Sequence, residues 1–215
     1  MKPNKLRLYD YFESGNAYKV RLMLSLLGIP FERVALDILK GETRSAAFLE
    51  KNPNHRVPML EWPDGRVLAE SNAILFHLAE DTPWLPEDVF ERAQVLQWMC
   101  FEQYSHEPFI AVLRFWTFAD ALGEHSEAEI EAKRAGGLHA LAVMEDHLRG
   151  REWFVGERCS IADLALFAYT HVAHEGGFDL SPFVGVSTWL RRVADQPGHL
   201  PIEAEVGEVV EWPPK

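Results

Sequence analysis

The sequence predicts an α/β domain over about the first eighty residues, followed by an all-α helical bundle. Three observations predict it. Strand-like and helix-like segments alternate in the order β-α-β-α-β-β-α between residues 5 and 80. A proline-punctuated linker, Asp81-Thr82-Pro83-Trp84-Leu85-Pro86-Glu87, then interrupts the pattern, and beyond it helical periodicity dominates with almost no strand signal. The domain bounds that follow are 1–82 and 88–215.

Residues 6–12 are short, aromatic-rich and closed by the turn former Ser14-Gly15-Asn16, the signature of a first strand. Residues 17–27 carry apolar side chains at helical spacing, with Gly28 where a C-terminal cap belongs. Residues 31–36, after Gly28-Ile29-Pro30, have the β-branched and aromatic content of a second strand, so strand, helix and strand form a βαβ unit with parallel strands. A short helix over 45–50 is stopped by Asn52-Pro53-Asn54. Residues 59–62 and 66–69 flank Pro63-Asp64-Gly65 and read as an antiparallel hairpin, after which Ser71 is placed to cap a helix running to about residue 80.

In the second half, residues 90–121 read as a long helix bent or split near Glu107-Pro108, because an interior proline removes a backbone donor. Ser126 and Glu129 have capping-box spacing at the start of a helix over 126–149. Ser160-Ile161-Ala162-Asp163 opens a helix apolar on all sides, which suits the buried centre of a bundle, and residues 186–196 make a further helix. The tail over 203–215 shows no assignable pattern.

Of the 215 residues, 47% are hydrophobic and 25% charged, the balance of a chain that buries a substantial core. The formal net charge of −12 repels a phosphate backbone or an anionic membrane, so neither nucleic acid nor membrane is an expected partner, and an anionic ligand requires a local positive site. The two cysteines, Cys100 and Cys159, form no C-x-x-C motif, and no secretory leader precedes the first strand, which points to a cytoplasmic protein with reduced thiols. Cys100 lies in an apolar helix and reads as an inert core thiol. His171 and His174 are three apart with Glu175 beside them, yet no further ligand cluster accompanies them, and no metal site is expected.

Four segments carry a resemblance: Tyr11-Phe12-Glu13-Ser14-Gly15-Asn16-Ala17-Tyr18-Lys19-Val20-Arg21, Asn52-Pro53-Asn54-His55-Arg56-Val57-Pro58, Glu70-Ser71-Asn72-Ala73-Ile74 and Ser160-Ile161-Ala162-Asp163. In this order and spacing, over nearly the whole chain, they resemble the signatures of cytosolic glutathione transferases, in particular serine-type bacterial members of theta- or nu-like kind. The resemblance implies a thioredoxin-like N-terminal domain that binds glutathione and an all-α C-terminal domain. Glutathione is then a co-substrate, with no tightly bound cofactor, and the protein is a homodimer.

The resemblance also implies roles. Val57-Pro58 matches a cis pair whose backbone pairs with the cysteinyl part of glutathione, and only an X-Pro bond reaches that geometry at low cost. Glu70 accepts from the γ-glutamyl ammonium, while Ser71 and the helix-start amides donate to its α-carboxylate. Arg56 contacts the glycine carboxylate, with Lys40 and Arg44 as other sources of positive charge. Ser14, between first strand and first helix, donates to the glutathione sulfur; Asn16 is a helper or the main donor, and Tyr11 or Tyr9 offers the strand-end hydroxyl used in other branches. The Ser-x-Asn turn is also similar to that of bacterial members that reduce glutathione disulfides. The absence of cysteine from Ser14-Gly15-Asn16-Ala17 excludes a protein dithiol cycle there. Phe12, Tyr104 and Phe109 are candidates to meet the small electrophile or disulfide, in the family's cleft between domains. Ser160 and Asp163 have a folding role as a buried capping box. An isomerase of maleylacetoacetate-like substrates and a non-catalytic interaction module of the same fold are the rival readings.

Overall fold

A computed structural model describes residues 5–212. The chain divides into two compact units, one made of the N-terminal segment through Glu80 together with residues from Pro197 onward, the other of Asp81–Gln196. The bounds expected from the sequence place the whole C-terminal segment with the helical domain, whereas residues 197–212 cluster with the first unit.

In the first unit the strands are β1 (Arg7–Asp10), β2 (Glu32–Ala35), β3 (Met59–Glu61), β4 (Val67–Ala69) and β5 (Glu208–Glu211), in the sheet order β4-β3-β1-β2-β5. β1 and β2 are parallel, as the βαβ reading requires, whereas β3 runs antiparallel to both β1 and β4. β5 comes from the unassigned tail and adds to β2 in parallel. The helices are α1 (Gly15–Leu26), α2 (Ala46–Leu49) and α3 (Ser71–Ala79).

The period-2 geometry of the strands sorts the core into two faces. Leu8 and Leu60 point to one face, where Val20 and Leu24 of α1 and Ile74 of α3 close over them. Their neighbours Tyr9 and Met59 point to the other, against Phe48 of α2, with Trp212 ring edges packed on both Tyr9 and Phe48. At roughly 25 cal/mol per Å2 of apolar surface, such two-sided burial is the main force holding short strands in one sheet.

The second unit contains α4 (Val89–Phe101), α5 (Glu107–Phe118), α6 (Glu127–Leu148), α7 (Ile161–Thr170) and α8 (Val184–Ala194). A π-helical turn over Glu102–His106 separates α4 from α5, which is the split expected ahead of Pro108. Proline cannot donate to the carbonyl four residues back, and a wider turn absorbs the missing bond. Every residue of α7 is buried, and both expected capping boxes form, Ser126 with Glu129 and Ser160 with Asp163. Asp163 is the polar centre of the bundle: its Oδ1 accepts from the Phe154 amide and Trp189 Nε1, and its Oδ2 from the amide and hydroxyl of Ser160. Cys159 is buried and burial pushes its thiol well up, whereas Cys100 is exposed, contrary to the core position expected for it.

Candidate functional site

Strand register decides which loops share an edge. Tyr9 pairs with Met59, and Met59 pairs with Ala69, so the end of β1, the start of β3 and the end of β4 lie side by side. The segments that leave or enter the sheet there are 11–16, 56–58 and 70–71. They carry Phe12, Ser14, Asn16, Arg56, Val57, Pro58, Glu70 and Ser71, so one sheet edge gathers side chains up to 59 positions apart in the sequence.

Ser14 is the N-cap of α1 in an extended conformation, its Oγ accepting from the Ala17 amide at 3.2 Å. The hydroxyl therefore caps the helix through its lone pair and keeps its proton to donate elsewhere. The neighbouring positive end of the α1 dipole favours an anion at the same place. Tyr9 does not compete for that role. It is buried, and its hydroxyl donates to Glu61 at 2.6 Å; burial and then the Glu61 carboxylate push its pKa well up.

Asn16, in the first turn of α1, reaches across to α3, where Ser71 Oγ donates to Asn16 Oδ1 at 3.1 Å. This changes the expected role of Ser71. The N-cap position of α3 belongs to Glu70, no side chain caps the helix, and Ser71 is its first residue, 5% exposed and turned toward Asn16. The positive end of the α3 dipole therefore carries no side-chain cap. Glu70 is exposed and has φ 68° and ψ 112°, a conformation that is costly for a side-chain-bearing residue, and Asn54 Nδ2 donates to its carboxylate at 3.2 Å.

The Val57-Pro58 bond is cis, as expected. The loop leading to it is tied by Asn52, whose side chain accepts from the Asn54 amide and donates to the Arg56 carbonyl at 2.8 Å. Arg56 itself is exposed, as is Arg44, and Lys40 is exposed and paired with Asp37 at 3.0 Å. Phe12 is half-buried with the Arg21 and Arg33 guanidinium groups over its ring at 4.9 and 4.7 Å.

The sequence reading missed Lys19. It is fully buried on α1, and its ammonium donates to Asn16 Oδ1 at 2.8 Å and lies 3.5 Å from Ser71 Oγ. The available signal was a lysine within an apolar helical run, three residues after a candidate site residue and hence on the same helix face.

Tyr104 and Phe109 belong to the second unit. Tyr104 sits in the π-helical turn and is 87% exposed. Phe109 packs against α6 where Gly136 leaves room for its ring, with Lys133 Nζ 5.4 Å from the ring centre. Among the described residues no group of three or more His, Cys, Asp or Glu side chains is arranged to hold a metal ion, and no helix is long and apolar enough to cross a membrane.

Comparison with known proteins matches residues 4–80 to the glutathione S-transferase N-terminal domain and residues 96–197 to the glutathione S-transferase C-terminal domain. The crystal structure of a glutathione S-transferase from Pseudomonas fluorescens is 50% identical, with a TM-score of 0.91 over 94% of this chain and 100% of that one. A glutathione transferase from Pseudomonas putida, solved with one glutathione disulfide bound per subunit, is 28% identical, with a TM-score of 0.81 over 91% of this chain and 89% of that one. Elongation factor 1-gamma from Artemia salina is 33% identical over 198 residues; the match takes in 88% of this chain but only 44% of that protein's length.

Proposed function

The chain belongs to the glutathione S-transferase family through both of its domains, and from that premise we propose that it binds reduced glutathione, stabilises its thiolate through Ser14 and transfers it to an electrophilic small molecule. The observation that carries the proposal is the shared sheet edge. The Tyr9, Met59 and Ala69 register brings together a hydroxyl at a helix start, a cis X-Pro bond and a second, uncapped helix start. These suit, respectively, a thiolate, a peptide backbone and a carboxylate.

In this reading the γ-glutamyl ammonium meets Glu70, its α-carboxylate meets Ser71 and the first amides of α3, the cysteinyl backbone pairs with Val57 beside Pro58, and Arg56 meets the glycine carboxylate. The sulfur lies at the start of α1, within reach of the Ser14 hydroxyl and the Asn16 amide. A free thiol ionises near about 8.5, and each unit of lowering corresponds to about 1.36 kcal/mol, so one charge-assisted hydrogen bond plus a helix dipole shifts the balance usefully at neutral pH. No general base is needed: the chain binds the thiolate more tightly than the thiol and holds it for attack, and the proton leaves to solvent. Phe12, Tyr104 and Phe109 are proposed to meet the electrophile. The proposal includes a cytoplasmic homodimer, and the net charge of −12 supports excluding nucleic acid and anionic membranes as partners.

A second reading, reduction of glutathione-containing disulfides, is favoured by Asn16, which adds an amide to the Ser14 hydroxyl at the sulfur end of the site. The disulfide-bound relative from Pseudomonas putida supports it. Calorimetric titration with glutathione and with glutathione disulfide, on wild type and Ser71→Ala, tests the binding and separates the readings. The expected result is saturable glutathione binding weakened about tenfold or more by the substitution, with tighter disulfide binding as the mark of the second reading. No binding of either ligand at millimolar concentration would leave a non-catalytic member of the fold as the conclusion.

A further inference from the structure

We propose that Lys19 is a positioning residue of the glutathione site, the buried cation that fixes Asn16 and Ser71 and supplies positive charge to the subsite for the γ-glutamyl α-carboxylate. The inference rests on the glutathione-binding reading above and deepens it.

Three features of the geometry lead to it. Lys19 is fully buried, although lysine rarely is, because an ammonium loses its hydration when removed from water and needs oxygen partners in return. Two of the oxygens it approaches are those that join the two helix starts: Asn16 Oδ1 at 2.8 Å, from α1, and Ser71 Oγ at 3.5 Å, on the first residue of α3. Finally, Ser71 Oγ donates to the same Asn16 oxygen at 3.1 Å, so Lys19, Asn16 and Ser71 close a three-membered polar ring.

The ring has two consequences. An ammonium only donates, so the atom of Asn16 that it holds must be the carbonyl oxygen, which fixes the orientation of the Asn16 amide. Secondly, a carboxylate bound at the start of α3, beside Ser71, lies close to Nζ, where the ammonium adds to the partial charge of the helix end. This supplies the local positive site that an acidic protein needs to bind an anion, and it does so from beneath the surface, where bulk salt screens it weakly.

The experiment compares two ligands. One is glutathione; the other is 4-aminobutyryl-cysteinylglycine, which is glutathione without its α-carboxylate. Both are titrated calorimetrically into wild type, Lys19→Met and Lys19→Gln, with thermal unfolding recorded for each protein. Lys19→Gln keeps a donor of similar reach without the charge, so it serves where the methionine variant is poorly folded. The expected result is that loss of the charge weakens glutathione binding at least tenfold while changing the decarboxylated ligand less than threefold, in either variant that retains a cooperative unfolding transition. Equal weakening of both ligands would assign Lys19 a purely structural role and overturn the proposal. Wild-type affinity for glutathione in the variants would overturn it too, while leaving the glutathione site intact so long as Ser71→Ala still weakens binding. Absence of glutathione binding by the wild-type protein would remove both readings together.

Discussion

Arg21 donates to both carboxylate oxygens of Asp10 at 2.8 Å, to the Phe12 carbonyl at 2.8 Å and to the Ile202 carbonyl at 3.3 Å, and both partners of the ion pair are essentially inaccessible to water. One side chain thus ties the end of β1, the loop that carries Phe12 toward Ser14, and the returning C-terminal segment. Removing one member of a buried pair leaves the other desolvated without compensation, a loss of about 3–5 kcal/mol. Arg33, 3.7 Å from Asp10, recovers part of it. Arg21→Met is therefore expected to lower unfolding free energy by about 3 kcal/mol, measured by urea denaturation; a loss below about 1 kcal/mol would show that Arg33 alone satisfies Asp10. At this scale the sequence disclosed residues whose neighbours in the chain announce them. Ser14 stands in a turn before a helix, and Glu70-Ser71 stands between a hairpin and a helix. Lys19 and Arg21 were less visible, because a charged residue inside an amphipathic run reads equally well as a solvated face. Ser71 reads from the sequence as a cap, since a serine before an apolar helix is an ordinary one; the N-cap position belongs to Glu70, and the contact with Asn16, 55 positions away, shows where the Ser71 hydroxyl goes.

Among the elements, α5 and α6 illustrate how close packing is encoded. A methyl group built on Gly136 would come within 2.3 Å of the Phe109 ring, and one on Gly137 within 2.4 Å of the Phe178 ring, so two consecutive glycines in the middle of a 22-residue helix act as sockets for aromatic side chains. Glycine costs a helix interior roughly 1 kcal/mol relative to alanine, which would ordinarily make Gly136→Ala stabilising. Here the overlap is expected to reverse the sign, with Gly136→Ala lowering stability by about 1–3 kcal/mol in thermal or denaturant unfolding. A gain would show that Phe109 turns aside at no cost. The expected elements of the first eighty residues and the main helices beyond them are present, with ends displaced by a few residues at most, because each has its own periodicity and its own stop signal. β5 was not visible. Glu208-Val209-Val210-Glu211 is only four residues long and its pairing partner β2 lies 176 positions earlier, so nothing local distinguishes it from loop. The split of α4 from α5 could be foreseen from Pro108, but the π-helical form of the turn could not.

For the molecule as a whole, the two family matches account for most of the chain, and the fold class follows from the alternation of strands and helices that then gives way to helices alone. Its candidate chemistry is narrower than that fold. The site edge contains no cysteine and burial pushes the Cys159 thiol well up, so the proposed thiol chemistry at the start of α1 draws its sulfur from a ligand. What decides the activity is therefore whether this edge lowers the pKa of a bound thiol. The sequence names the candidate residues by motif, while the reason their segments share one edge, the Tyr9, Met59 and Ala69 register, is a property of three strands that no single motif contains. The direct measurement is the thiolate absorbance of glutathione bound at saturation, recorded against pH for wild type and Ser14→Ala. Wild type should show a thiol pKa at least one unit below that of free glutathione, with Ser14→Ala returning most of the way to the free value and losing about tenfold or more in kcat with a model electrophile. A bound thiol that titrates at the free value in the wild-type protein would contradict thiolate stabilisation by Ser14 and the transferase activity built upon it.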